Sequence, residues 1–67
     1  MKMMDELALD ELPRSYRVGL RMHDLGASDD LIADCLNMDT SAVAILLEIG
    51  ARKLEQAVIE RREHHIT

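Results

Sequence analysis

The side chains in this sequence able to carry acid–base, metal or nucleophilic chemistry are the histidines His23, His64 and His65, the single Cys35 and thirteen carboxylates. Their spacing matches none of the usual arrangements. His64 and His65 adjoin Glu63, but adjacent residues point to different sides of a helix, so the pair reads as a frayed tail and not as a ligand set. His23 beside Asp24 reads as a solvated surface residue. Cys35 has no partner for an internal disulfide and reads as a small buried core residue. No Ser-His-Asp, Cys-His or paired-carboxylate arrangement and no glycine-rich phosphate loop is present, so the sequence predicts no enzyme, cofactor, metal or small-molecule substrate.

Charge is the more informative chemistry. The formal net charge is -5, and it is unevenly distributed. Between Arg21 and Arg52 there is no Lys or Arg, while Asp24, Asp29, Asp30, Asp34, Asp39 and Glu48 all lie in that interval. Affinity for nucleic acid comes mostly from cations that displace the counterions of phosphates, so this stretch argues against specific DNA binding. Arg14, Arg17 and Arg21 precede it and are the candidate phosphate contacts should the chain bind DNA after all. Arg52, Lys53, Arg61 and Arg62 follow it.

The elements that position these residues are helical. Apart from Tyr16 the apolar residues are Leu, Ile, Val, Ala and Met, with one Pro and three Gly, a mixture that favours helices over sheet. Caps and periodicity predict helices near residues 3–11, 14–24, 29–36 and 41–62. Met4, Leu7, Ala8 and Glu11 set the first, and Pro13 or Arg14 opens the second, whose apolar side is Tyr16, Leu20 and Met22 to Leu25. Gly26 ends it as a left-handed cap. Ser28 caps the third, with Asp29 and Asp30 in its first turn and Leu31, Ile32, Cys35 and Leu36 as its buried face. Asn37-Met38 makes a turn, and Asp39 or Thr40 caps the fourth. The expected fold is a small all-α, four-helix domain over residues 1–67 that contains a helix-turn-helix. A chain this short buries only roughly 60% of its unfolded surface, so a partner would help it. No secretory apolar segment follows Met1 and no run is long enough to span a bilayer, so the chain reads as soluble and cytoplasmic, with no membrane partner.

At 100° per residue the fourth helix has two apolar sides. Val43, Leu47, Gly50, Leu54, Ala57 and Val58 make the expected core stripe. Ile45 and Ile49 lie more than a right angle from its centre, with Arg52, Gln56 and Ile59 nearby. This second side is either a protein contact surface or is covered within the chain by the first helix.

Leu9, Leu12-Pro13, Tyr16-Arg17, Gly26, Ser28, Ile32-Ala33, Leu36, Val43 and Arg52-Lys53-Leu54 together resemble the fourth conserved region of bacterial sigma factors, particularly the extracytoplasmic-function type. That resemblance implies a compact helical domain that reads the upstream promoter hexamer and docks on RNA polymerase. After the framework valine the family usually continues with Lys, a small polar residue, Arg, Leu, His and Arg. Here Ala44, Ile45, Leu46, Leu47, Glu48 and Ile49 stand in those places, and Gly19 replaces a usual apolar core residue. The expected function is therefore a transcription-associated module that has lost the usual DNA-reading residues and acts through protein contacts, with itself as a homodimer or with RNA polymerase or another transcription protein. Ala44, Ile45, Glu48, Ile49, Arg52 and Gln56 are the expected contact residues. A DNA-binding helix-turn-helix regulator and a purely structural dimeric subunit are the alternatives.

Overall fold

The computed structural model describes the backbone of residues 5–66 and the side chains of residues 5–62. Four helices follow one another, α1 (Glu6–Leu9), α2 (Arg14–Asp24), α3 (Asp29–Leu36) and α4 (Thr40–Ile66), and no strand occurs among the described residues. The first three pack along one side of α4, which at 27 residues is about 40 Å long. The molecule itself is 42 Å in its longest dimension, so α4 is its spine.

Each boundary has a local cause. Asp5 caps α1, its Oδ1 accepting from the backbone N–H groups of Leu7 and Ala8 at 3.1 Å. The helix is shorter than the expected 3–11. Glu11 and Leu12 donate to the carbonyls of Ala8 and Leu9, which tightens the chain into i→i−3 turns, and Pro13 steers the residue before it out of the helical region. Met3 and Met4, expected in this helix, lie outside the described residues.

Pro13 stands just before α2, and its carbonyl accepts the first helical bond, from Arg17 N–H at 3.0 Å. At the other end Gly26 has φ 91°, with its N–H on the His23 carbonyl and the Ala27 N–H on the Met22 carbonyl. This paired bonding needs a left-handed residue between the helix and its exit, and glycine adopts that conformation without a Cβ penalty. Ser28 Oγ then accepts from Leu31 N–H at 3.2 Å to open α3. The exit from α3 repeats the same device with Asn37 at φ 56°, where Met38 N–H reaches the Ala33 carbonyl at 3.0 Å. Thr40 starts α4 and donates its hydroxyl to Asp30 Oδ1 at 2.9 Å, tying the start of α4 to that of α3. The α4 backbone continues through Ile66, a turn past its expected end and through His64 and His65.

The core forms two clusters that share Leu47 of α4. Leu9, Leu12 and Leu20 pack with Tyr16, Leu47 and Leu54, and Ile32, Ala33 and Val43 pack with Met22, Ala27, Leu36, Met38 and Leu47. The helices α2 and α4 approach closely through two glycines. A Cβ on Gly19 would come within 2.6 Å of Leu46 Cδ2, and one on Gly50 within 3.2 Å of Tyr16 Cδ1 and 3.3 Å of Leu20 Cδ1. Each helix therefore seats a leucine of the other in a notch where its own side chain is missing. Leu46, placed outside the expected stripe, is buried for this reason, and Leu47 beside it is only partly buried. Lys53 Nζ lies 5.6 Å from the centre of the Tyr16 ring, adding a cation–π contact at the edge of the same junction.

Burial departs from the expected pattern on the other three helices as well. Cys35 is exposed, and so is Leu31. Ile32 and Ala33 are the buried residues of α3, with Leu36 partly buried beside them, and helical geometry turns positions 31 and 35 away from that arc. Leu25, expected on the apolar side of α2, is 79% exposed because the Gly26 turn carries it outward, while Leu20 is buried as expected, with Gly19 beside it. In α1, Leu7 is exposed while Ala8 and Leu9 are buried.

Candidate interaction surface

Turned away from the core, α4 carries a row of exposed residues. Ile45 is 59% exposed, Ile49 37% and Ile59 46%, and Arg52 and Gln56 fill the positions between them. Ala44 and Glu48 are exposed along one flank. All six expected contact residues therefore reach the surface of one helix. Ile59 is not among those six, although its spacing from Ile45, Ile49, Arg52 and Gln56 places it on the same line.

The first helix does not cover this row. Leu9 and Leu12 bring α1 against Leu54 on the core side, and Arg61 Nη1 meets Glu11 Oε2 at 3.3 Å on the same side. Among the described residues none therefore covers Ile45 and Ile49 in the way the intrachain alternative requires. Polar groups on the outer side satisfy one another along the helix. Arg52 Nη2 lies 3.1 Å from Glu48 Oε2, and Gln56 Nε2 donates to Glu60 Oε2 at 3.4 Å. Both are exposed i,i+4 pairs, which contribute only about 0.3–0.5 kcal/mol each and are easily exchanged.

Arg14, Arg17 and Arg21 sit elsewhere. They ride on α2, which packs on Gly50 and Leu46, about a quarter turn round the α4 axis from Ile45 and Ile49. Arg17 is half-buried and spends Nη1 on the Leu12 carbonyl at 3.0 Å, closing the turn before Pro13. Arg21 pairs with Glu6, whose hydrogen bond and then whose charge raise the guanidinium above its usual pKa. Arg14 is exposed, with no ion pair or side-chain hydrogen bond among the described residues. The three arginines do not converge with the outer row of α4, and two of them already serve the α1–α2 junction.

Among the described residues no group of three or more His, Cys, Asp and Glu side chains could hold a metal ion. No helix among them is long and apolar enough to cross a membrane. No protein-family model matches the chain, and no curated protein or solved structure matches it either.

Proposed function

We propose that this chain is a transcription-associated helical module, similar to the fourth region of a sigma factor, that acts through protein contacts on the outer side of α4 and no longer reads DNA. The observation that carries the reading is the row Ile45, Ile49 and Ile59, exposed on the helix that the rest of the chain is packed to hold. In this reading α3, the Asn37–Asp39 turn and α4 are a helix-turn-helix, with α4 in the place of the reading helix. Such a helix needs Arg, Lys, Asn or Gln on its exposed first turns, and α4 offers Ala44, Ile45, Glu48 and Ile49 there.

The sequence departures support the same conclusion as a set. Leu46, standing where the family usually has Arg, is not merely a lost contact, because it fills the notch left by Gly19. A cation there could not keep its charge in water without reopening the α2–α4 junction. The loss of the DNA contact and the close approach of the helices are thus one change.

Energetics set the strength expected of the surface. Each of the three isoleucines is roughly half exposed, so completing its burial is worth about 1 kcal/mol. About 6 kcal/mol for a pair of such rows only just offsets the cost of association, roughly 4 kcal/mol or more. Contacts through this side should be weak and concentration-dependent. The test is a fluorescence-anisotropy titration against mixed duplex promoter fragments at low and moderate salt. No saturable, sequence-dependent binding is expected, and such binding at moderate salt would instead establish a DNA-binding regulator working through Arg14, Arg17 and Arg21.

A further inference from the structure

We infer that the partner of the outer row of α4 is the same row of a second copy of this chain, laid antiparallel. The inference rests on the protein-contact reading above and adds to it a partner, an orientation and a register. Ile45, Ile49, Arg52, Gln56 and Ile59 recur at alternating steps of four and three residues, the seam spacing of a two-stranded coiled coil. The seam is straight over about 21 Å, and the core residues Gly50 and Leu54 lie on the opposite side of the helix.

The charge pattern selects the occupant and its direction. One flank of the seam carries Glu48, Glu55 and Arg62, seven residues apart and all exposed, acidic at one end and basic at the other. A row polarised in this way is complementary to itself only when inverted. With the two-fold axis beside Leu54, Glu48 of each chain faces Arg62 of the other. On the seam itself Ile49 meets the second copy's Ile59, and Arg52 meets the second copy's Gln56. The parallel arrangement stacks Arg52 on Arg52 and sets Glu55 beside the second copy's Glu60, so like charges repel at both levels. In the antiparallel one the single like-charge meeting on this flank is Glu55 with its own copy, and Arg52 of each chain lies within one turn of it.

The other flank of α4 carries Leu46, which is buried, and Lys53 and Glu60, which are exposed. Leu46 fills the Gly19 notch and Lys53 lies over the Tyr16 ring, so neither has to serve the partner. The present Glu48–Arg52 pair, exposed on both sides, exchanges at little cost for Glu48 with Arg62 and Arg52 with Glu55.

Two measurements on the full chain test this. Sedimentation equilibrium at moderate salt should give a weak monomer–dimer equilibrium, half-associated only at about millimolar concentration or above, shifted to monomer by Ile49→Lys with the helical circular dichroism retained. In a Cys35→Ser background, Glu55→Cys should cross-link to its own copy with a short bismaleimide. Ile45→Cys should not, because the antiparallel register sets its two copies about 27 Å apart along the axis at 1.5 Å per residue. A wild-type chain that stays monomeric at every concentration overturns the self-pairing while leaving the protein-contact reading to the DNA titration. Cross-linking through Ile45→Cys and not Glu55→Cys overturns the antiparallel register. Sequence-dependent DNA binding overturns the underlying reading separately.

Discussion

Replacing Gly19 by alanine sets two effects of similar size against each other. In a helix interior Gly→Ala stabilises by about 1 kcal/mol. Here the new Cβ would stand 2.6 Å from Leu46 Cδ2, so Leu46 must withdraw by about 1 Å to reach ordinary contact. Leu46 is 8% exposed and seated between two helices, and overpacking such a site costs roughly 1–3 kcal/mol. The expected balance for Gly19→Ala is a loss of about 1 kcal/mol, a fall in Tm of about 4–8 °C for a domain of this size. Because the collision involves the far end of one side chain, the decisive quantity is the coupling with Leu46. Leu46→Ala alone should cost roughly 2–4 kcal/mol through the cavity it leaves. With the methyl group introduced by Gly19→Ala already filling part of that cavity, the double variant should be more stable than the sum by about 1–2 kcal/mol. Urea unfolding of the four proteins, followed by far-ultraviolet circular dichroism, measures the cycle. If Gly19→Ala raises stability by the full helix-propensity gain and the double variant is additive, Leu46 does not occupy the Gly19 notch.

Two further outcomes follow from positions where the local geometry is unambiguous. Gly26→Ala meets nothing within 4 Å but must hold φ 91°, so it should lose about 1–2 kcal/mol in thermal unfolding through backbone strain alone; an unchanged melting point would mean that α2 does not end in the left-handed turn. Cys35 is exposed, so its thiol should react with an aromatic disulfide reagent in the native protein nearly as fast as in urea, and protection by a large factor would return it to the core.

The parts of the fold that are legible in the sequence are those with punctuation. Pro13, Gly26, Ser28 and Asn37 each impose a backbone requirement at one residue, so the bounds of α2 and α3 follow from chemistry local to the chain. The end of α1 is less legible, because its last turn is tightened gradually before Pro13 and periodicity does not register such a change. Burial on α3 is easily misread because Leu31, Ile32, Cys35 and Leu36 span too wide an arc for one face, and Ala33, small enough to be overlooked, is what α4 packs against. Placing Leu46 requires knowledge of a second helix. The available signal is Gly19 in the middle of an apolar side of α2, where a missing side chain must be filled from elsewhere. On the candidate surface, Ile45 and Ile49 are legible from their angle alone. The same angle puts Ile59 near them, and following the four-and-three spacing past two polar residues puts it on their line.

Isoleucine methyl resonances report, residue by residue, whether the outer side of α4 is where copies of this chain meet. Ile45, Ile49 and Ile59 are on the seam, and Ile32, fully buried between α3 and α4, is an internal control. Carbon-13 methyl spectra recorded across a dilution series should show the three seam methyls shifting together along one binding curve while Ile32 stays fixed. Seam methyls that do not move with concentration, or an Ile32 methyl that moves as far as they do, would contradict it.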